Sequence, residues 1–202
     1  MKKQSHYLQG IAVLLSAGFF FLYFTGCSNM GGEQQPMSHD QQVIRGKYLV
    51  QASGCNDCHS PKIMTAQGPM DDTTRLLSGH PADMPLFPVD TAVLHGAWIQ
   101  AAPDLTAWAG PWGVSYSANL TPDEKTGLGG WTEDIFIRTI RTGKYHGVND
   151  GRNLLPPMPW QNFRGMTDED LKAIFAYLQS VPAVNNAVPV PIPPNQIPMA
   201  KK

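Results

Sequence analysis

The residues that follow Ser38 alternate between apolar and polar with the period of an α-helix. Ser38 can cap this helix, and Gln41, three residues later, can reach back and complete a capping box. Ile44 and Tyr48 then fall on one side of the helix, and Gly54 marks its end. The pattern therefore predicts a first helix that begins after Ser38 and ends near Gly54.

Two further helices are predicted closer to the C-terminus. Thr132 caps the middle helix, two acidic residues follow at its positive dipole end, and Gly143 terminates it. Thr167 caps the last helix, in which apolar residues recur at i, i+3, i+4 and i+7 from Leu171. Pro182 ends this helix because a proline cannot continue it.

The stretch between residues 60 and 130 has little periodicity and many proline, glycine and tryptophan residues. A structureless segment of that length is unusual inside a domain, so we expect it to contain short elements that the pattern does not reveal. Trp98, Trp108 and Trp112 are too costly to leave in water together, and we expect them to be buried.

The N-terminus has the layout of a secretory signal. Lys2 and Lys3 precede an apolar run over residues 11–24, which is shorter than the ~20 residues of a spanning helix. A signal is therefore favoured over an uncleaved membrane anchor. Small residues before Cys27 resemble a bacterial lipobox, which implies that Cys27 is lipidated, and Ser28 favours sorting to the outer membrane.

The chain divides into four predicted segments: a signal peptide over 1–26, a flexible tether over 27–37, one domain over 38–181 and a proline-rich tail over 182–202. The tail is predicted to be extended, either as a disordered spacer or as a strap that wraps the domain.

The charge balance and the number of cysteines indicate which partners and which cross-links the chain does not suit. The chain has 15 basic and 16 acidic residues, and removal of the signal with its two lysines leaves a net charge of −3. This balance makes nucleic acid an unsuitable partner. A disulfide framework is not expected from three cysteines.

A C-x-x-C-H motif, formed by Cys55, Cys58 and His59, follows the first helix. On one helical turn the two thiols share a face, so both can add to one porphyrin edge while the histidine binds the iron. A zinc knuckle would need about four ligands, and a thioredoxin-like dithiol would follow a strand rather than a helix. The motif therefore favours covalent haem attachment over a zinc site or a redox dithiol.

The second axial ligand is predicted to be a methionine, because a soft thioether stabilises ferrous iron. Met158 lies among three prolines that hold it in a stiff loop, and it is the preferred candidate. Met64 is too close to His59, and Met166 can instead pack on the last helix as a hydrophobic staple. The candidates that stay open are Met70, Met84, His80, His95 and His146.

Taken together, the helix, the C-x-x-C-H motif, a Gly-Pro pair, the methionine loop and the last helix resemble a class I c-type cytochrome over residues 44–181. More narrowly, five segments are similar to cytochrome domains that serve membrane-bound alcohol and gluconate dehydrogenases. These segments are residues 119–123, 126–129, 131, 158–160 and 166–171. Those subunits carry several haems, whereas this sequence has one attachment motif.

The resemblance implies an all-α class I cytochrome c fold with a long irregular insertion before the middle helix. It also implies one covalently attached haem c. In similar cytochromes a proline carbonyl accepts a hydrogen bond from the iron-binding histidine, and the carbonyl of Pro69 is the predicted partner of His59. Trp160 is predicted to pack near the methionine loop and contact the cofactor.

An iron bound by both His59 and Met158 has no vacancy for a substrate, which predicts an electron carrier rather than an enzyme. The expected partners are redox proteins, namely a dehydrogenase, an oxidase or another cytochrome, and the membrane through a lipid anchor. The expected location is the periplasmic side of a membrane. The alternative is a haem enzyme or gas sensor with an open distal site, in which Met158 is displaced.

Overall fold

The computed structural model describes residues 35–96 and 98–198. The predicted signal peptide and the lipidation of Cys27 lie outside these residues. Within the described range, no helix has both the length and the apolar character needed to cross a membrane.

Five α-helices form in the described part of the chain. They are α1 His39–Ala52, α2 Cys55–His59, α3 Glu133–Thr142, α4 Trp160–Phe163 and α5 Asp168–Ser180. Short 3₁₀ turns lie at Thr91–Leu94, Tyr145–Gly147 and Pro194–Gln196.

The caps of the three long helices are those the sequence predicts. At the start of α1, the Ser38 N–H donates to Gln41 Oε1 at 2.9 Å and the Gln41 N–H donates to Ser38 Oγ at 3.3 Å, which completes the capping box. Thr132 and Thr167 accept from backbone N–H groups of α3 and α5 at 3.2 and 3.1 Å. Gly143 ends α3 with φ +66°, a conformation that favours glycine.

The stretch after the C-x-x-C-H motif was expected to be a long irregular insertion in an all-α fold, and it contains two small antiparallel sheets. Strands β1 Lys62–Thr65 and β2 Gly68–Asp71 form a hairpin. A second sheet has the order β3–β4–β5, with β3 Gln100–Ala101, β4 Ala107–Gly110 and β5 Gly113–Tyr116. None of these strands is longer than four residues, which is too short for a period of two to stand out in the sequence.

The first core forms where α1 crosses α5. Gly46 lies at the crossing, and a methyl group there would come within 1.9 Å of the Ala173 carbonyl oxygen, so the two helices touch backbone to backbone. Ile44 and Tyr48 are 72% and 65% exposed, so they are not on the packed side of α1. The buried residues of this core are Val50, Leu77, Leu128, Phe136, Ile140, Leu171, Ile174 and Leu178.

A second, smaller core forms beneath the β3–β4–β5 sheet. Its buried residues are Val89, Val93, Ala109, Val114 and Ile197. Trp108 and Trp112 are partly buried, and their indole N–H groups donate to Leu105 O at 2.7 Å and Ser115 Oγ at 3.2 Å. Trp98 is 82% exposed, so the prediction that all three tryptophans are buried is wrong for Trp98.

Residues 182–198, called here the C-terminal strap, pack against the domain. Ile192 forms a β-bridge with Val114 of β5, and Ile197 is buried in the second core. Of the two conformations left open by the proline-rich sequence, the described residues adopt the wrapped one.

Candidate functional site

The C-x-x-C-H motif forms α2, a single helical turn. Gly54 has φ +66° and separates this turn from α1, so the chain changes direction just before Cys55. Cys55 and Cys58 are free thiols, and Cys55 packs against the first core. Burial raises the pKa of Cys55 to about 11 and also raises the pKa of Cys58. Cys55 therefore borders an apolar cluster, and Cys58 is partly buried.

His59 is held by the backbone of a distant segment. Its Nδ1–H donates to the carbonyl of Ala118 at 2.7 Å. Burial lowers the pKa of His59, which favours the neutral imidazole that binds metals. Because Nδ1 carries the proton in this bond, the bare nitrogen is Nε2, the arrangement expected of an iron ligand.

The prediction that the carbonyl of Pro69 holds His59 is wrong, because Ala118 accepts that hydrogen bond. Pro69 lies in β2, where it pairs with Met64 across the hairpin and is exposed. The Gly-Pro pair therefore opens the second strand of the hairpin.

Asn119 fixes the turn that presents the Ala118 carbonyl. Its Oδ1 accepts from the N–H of Thr121 at 3.0 Å and from the hydroxyl of Thr121 at 2.7 Å. Its amide nitrogen donates to the carbonyl of Val184 at 2.8 Å. Asn119 is 3% exposed, so these contacts satisfy a buried amide and tie the turn to the C-terminal strap.

Met158 lies in a loop that is attached to the second sheet. Ser115 Oγ in β5 donates to the carbonyl of Pro156 at 2.6 Å, and Trp112 Nε1 donates to Ser115 Oγ at 3.2 Å. The Met158 side chain is partly buried and packs against the first core, as does Cys55. The thioether and the first thiol of the motif therefore border the same apolar cluster.

The other methionine candidates occupy different surroundings. Met64 and Met70 lie on the β1–β2 hairpin and are 71% and 54% exposed. Met166 packs against the first core immediately before α5, as expected of a hydrophobic staple. Met84 is partly buried in the segment before the second sheet.

The three candidate histidines also differ in their surroundings. His80 is 1% exposed, and its Nδ1 lies 2.7 Å from Thr106 Oγ1. His146 stacks against Trp131 with ring centroids 4.6 Å apart, whereas His95 is exposed.

Trp160 begins α4 and covers the end of α3. A methyl group at Gly143 would lie 2.3 Å from the indole ring, so the ring packs directly on that glycine. Trp160 thus supports the segment that follows Met158, and its contact with the cofactor stays a prediction.

The two competing interpretations of the cysteine pair find no support in the described residues. Among residues 35–96 and 98–198 there is no group of three or more His, Cys, Asp or Glu side chains that could hold a metal ion. The element before the motif is helix α1, whereas a thioredoxin-like dithiol follows a strand. Two thiols on one helical turn and a neighbouring histidine whose Nε2 is bare fit the attachment of haem c.

The sequence model of the cytochrome c family matches residues 43–182. The chain therefore belongs to the cytochrome c family, and its cofactor is covalently bound haem c.

Several relatives are components of dehydrogenases. The gluconate 2-dehydrogenase cytochrome c subunit of Pantoea cypripedii is 32% identical over 143 residues, which are 69% of this chain and 23% of that protein. The fructose dehydrogenase cytochrome subunit of Gluconobacter japonicus is 29% identical over 168 residues, 82% of this chain and 26% of that protein. A component of the nicotinate dehydrogenase of Pseudomonas putida is 42% identical over 79 residues, 39% of this chain and 6% of that protein.

These relatives are much longer than the chain, which spans at most 26% of their length. The similarity supports a cytochrome domain and electron transfer as its broad role. It assigns neither the substrates nor the assemblies of the relatives to this chain.

Proposed function

We propose that this protein is a membrane-tethered, monohaem c-type cytochrome that carries single electrons between exported redox partners. Haem c, when bound, supplies a one-electron iron couple. His59 and Met158 would bind the iron, and Cys55 and Cys58 would attach the macrocycle. No acid, base or nucleophile of the chain is needed, because the protein contributes ligands, burial and a docking surface.

One observation carries the axial-ligand assignment. His59 uses Nδ1 for the Ala118 carbonyl and keeps Nε2 free, while Met158 borders the same apolar core as Cys55. A thioether bound to the iron would leave no vacancy for a substrate. This supports a carrier over the haem enzyme or gas sensor.

The proposed electron donor is a dehydrogenase, since the relatives include cytochrome subunits of gluconate, fructose and alcohol dehydrogenases. The proposed acceptor is an oxidase or another cytochrome. The signal-like N-terminus supports export, and the lipobox-like residues before Cys27 support tethering through a lipid. Substitution Cys27→Ser should release the protein from membranes or stall its processing. Retention of the variant in membranes with an unchanged mass would contradict lipidation.

Ligand binding to the purified haem protein tests the carrier assignment. The wild type should bind carbon monoxide in the ferrous state and cyanide in the ferric state only slowly and weakly at neutral pH. Met158→Ala should open the sixth position and bind both rapidly. Met166→Ala is the matched control, because it removes a methionine from the same core and should lose stability without gaining ligand binding. Rapid, tight binding to the wild type would favour an enzyme or sensor.

A further inference from the structure

Asn186 connects the C-terminal strap to residues 78–82, a segment that is hydrogen-bonded to the backbone of His59. Its amide nitrogen donates to the carbonyls of Ser78 at 2.7 Å and His80 at 2.9 Å. Its amide oxygen accepts from the N–H of Ala82 at 2.9 Å. Both donors and the acceptor of one amide are therefore used, and they all hold the same short segment.

Gly79 lies between Ser78 and His80. It contacts the backbone of His59 and also approaches the segment that holds the His59 ring. Its N–H donates to the backbone carbonyl of His59 at 2.8 Å. A methyl group at Gly79 would lie 2.5 Å from the carbonyl oxygen of Ser117 and 2.7 Å from that of Ala118. Gly79 also has φ +76°, so both its backbone conformation and the close approach require glycine.

The Ala118 carbonyl, which leaves no room for a side chain at Gly79, is the one that accepts the Nδ1–H of His59. The backbone around Gly79 therefore packs closely against the carbonyl that holds the imidazole. Asn186, in the C-terminal strap, holds the carbonyls of the two residues that flank Gly79.

We propose that Asn186 is a positioning residue for the iron ligand: it holds the backbone around Gly79 so that the Ala118 carbonyl keeps a short hydrogen bond to His59. The C-terminal strap thus tunes the reduction potential from outside the haem pocket. The proposal rests on the proposed role of His59 as an axial ligand.

The direction of the effect follows from ligand chemistry. A carbonyl that accepts from Nδ1–H increases the basicity of the imidazole, which stabilises ferric iron and lowers the reduction potential. A looser segment lengthens this bond, so the potential rises and the bond from histidine to ferrous iron weakens.

Asn186→Leu tests the proposal, because it keeps a side chain of similar size and zero charge but removes all three hydrogen bonds. Spectroelectrochemistry should show a higher potential, equivalent to a change of up to about tenfold in the one-electron equilibrium constant, or ~59 mV. Resonance Raman spectra provide a second measurement. In the ferrous Met158→Ala background, which frees the sixth position, the iron–histidine stretch should move to lower frequency when Asn186→Leu is added.

Ile197→Ala is the matched control. Ile197 lies in the same strap and is 7% exposed, but it packs in the second core away from the Asn186 contacts. This variant should lose stability while the potential and the stretch stay unchanged. A second test variant, Gly79→Ala, should shift both readouts, because its methyl group would lie 2.7 Å from the Ala118 carbonyl oxygen and must displace it.

The outcomes separate this proposal from the one on which it rests. An iron–histidine stretch that is present but does not move in Asn186→Leu overturns the positioning role and leaves the ligand assignment intact. An equal shift in Ile197→Ala also overturns the positioning role, because the effect then belongs to the strap as a whole. The absence of any iron–histidine stretch in Met158→Ala overturns the assignment of His59 and Met158 as the two iron ligands, on which the proposal rests.

Discussion

Substitution of Gly46 by alanine tests how closely α1 and α5 cross. Close packing predicts that the variant is less stable, whereas helix propensity alone predicts that it is more stable. The new methyl group would lie 1.9 Å from the Ala173 carbonyl oxygen and 2.8 Å from Tyr177 Cβ. Comfortable carbon contacts need about 3.5 Å, so the helices must move apart locally by roughly 1.5 Å. The atom displaced at closest range belongs to the backbone, so the contact cannot be relieved by a change of rotamer.

The magnitude follows from two terms. Overpacking of this kind costs about 1–3 kcal/mol, and a backbone contact belongs at the upper end of that range. Alanine in a helix interior stabilises the helix by about 1 kcal/mol relative to glycine. We therefore expect Gly46→Ala to lower the free energy of unfolding by about 2 kcal/mol, whereas helix propensity alone predicts an increase.

Unfolding of the haem-loaded protein in guanidinium chloride, followed by far-ultraviolet circular dichroism, measures this difference. The midpoint should fall at an unchanged slope with denaturant. Lys47→Ala, at the next and exposed position of α1, should stay within about 0.5 kcal/mol of the wild type. A Gly46→Ala protein that is as stable as the wild type, or more stable, would refute the close helix crossing.

Two further predictions concern a cap and a buried histidine. Thr167→Ala removes the acceptor for the Asp170 N–H and should cost about 1 kcal/mol in the same unfolding assay, and no loss would mean that the cap is not formed. Burial lowers the pKa of His80 in the folded state, with partial opposition from Asp104, so the unfolded chain binds a proton more readily. Stability should therefore fall as the pH drops below the ordinary histidine pKa of about 6.5, and less steeply in His80→Gln than in the wild type. Equal slopes for wild type and His80→Gln would contradict the role given to His80.

The helices could be predicted from the sequence because their signals are local. Ser38, Thr132 and Thr167 each cap a helix within three residues of the partner N–H, and Gly143 ends α3 at a position that favours glycine. The C-x-x-C-H motif is equally local. These features depend on hydrogen bonds and periodicity within one or two turns, which a single sequence displays directly.

The contacts that hold the site could not be predicted in this way. Ala118 reaches His59 through a backbone carbonyl from 59 residues away, and a carbonyl leaves no trace in residue type. Gly46 makes the close helix contact, but a glycine adds nothing to an apolar pattern. The apolar pattern of α1 was therefore assigned to Ile44 and Tyr48, which lie on its exposed side.

The contacts of the proline-rich tail and the strands of the long insertion could not be predicted from local sequence either. The prolines of residues 182–202 predicted an extended chain but not what it would contact, and Asn186 finds its partners more than 100 residues away. The strands of the insertion are held by pairing with short neighbours and not by an internal period. Their existence therefore depends on tertiary context.

The near-infrared magnetic circular dichroism spectrum of the exported, purified ferric protein tests the central claim most directly. Ligation by His59 and Met158 predicts a low-spin spectrum with a sulfur-to-iron charge-transfer band, which should disappear in Met158→Ala and persist in Met166→Ala. A high-spin spectrum, a spectrum of two nitrogen ligands, or a band that survives in Met158→Ala would contradict the proposed site.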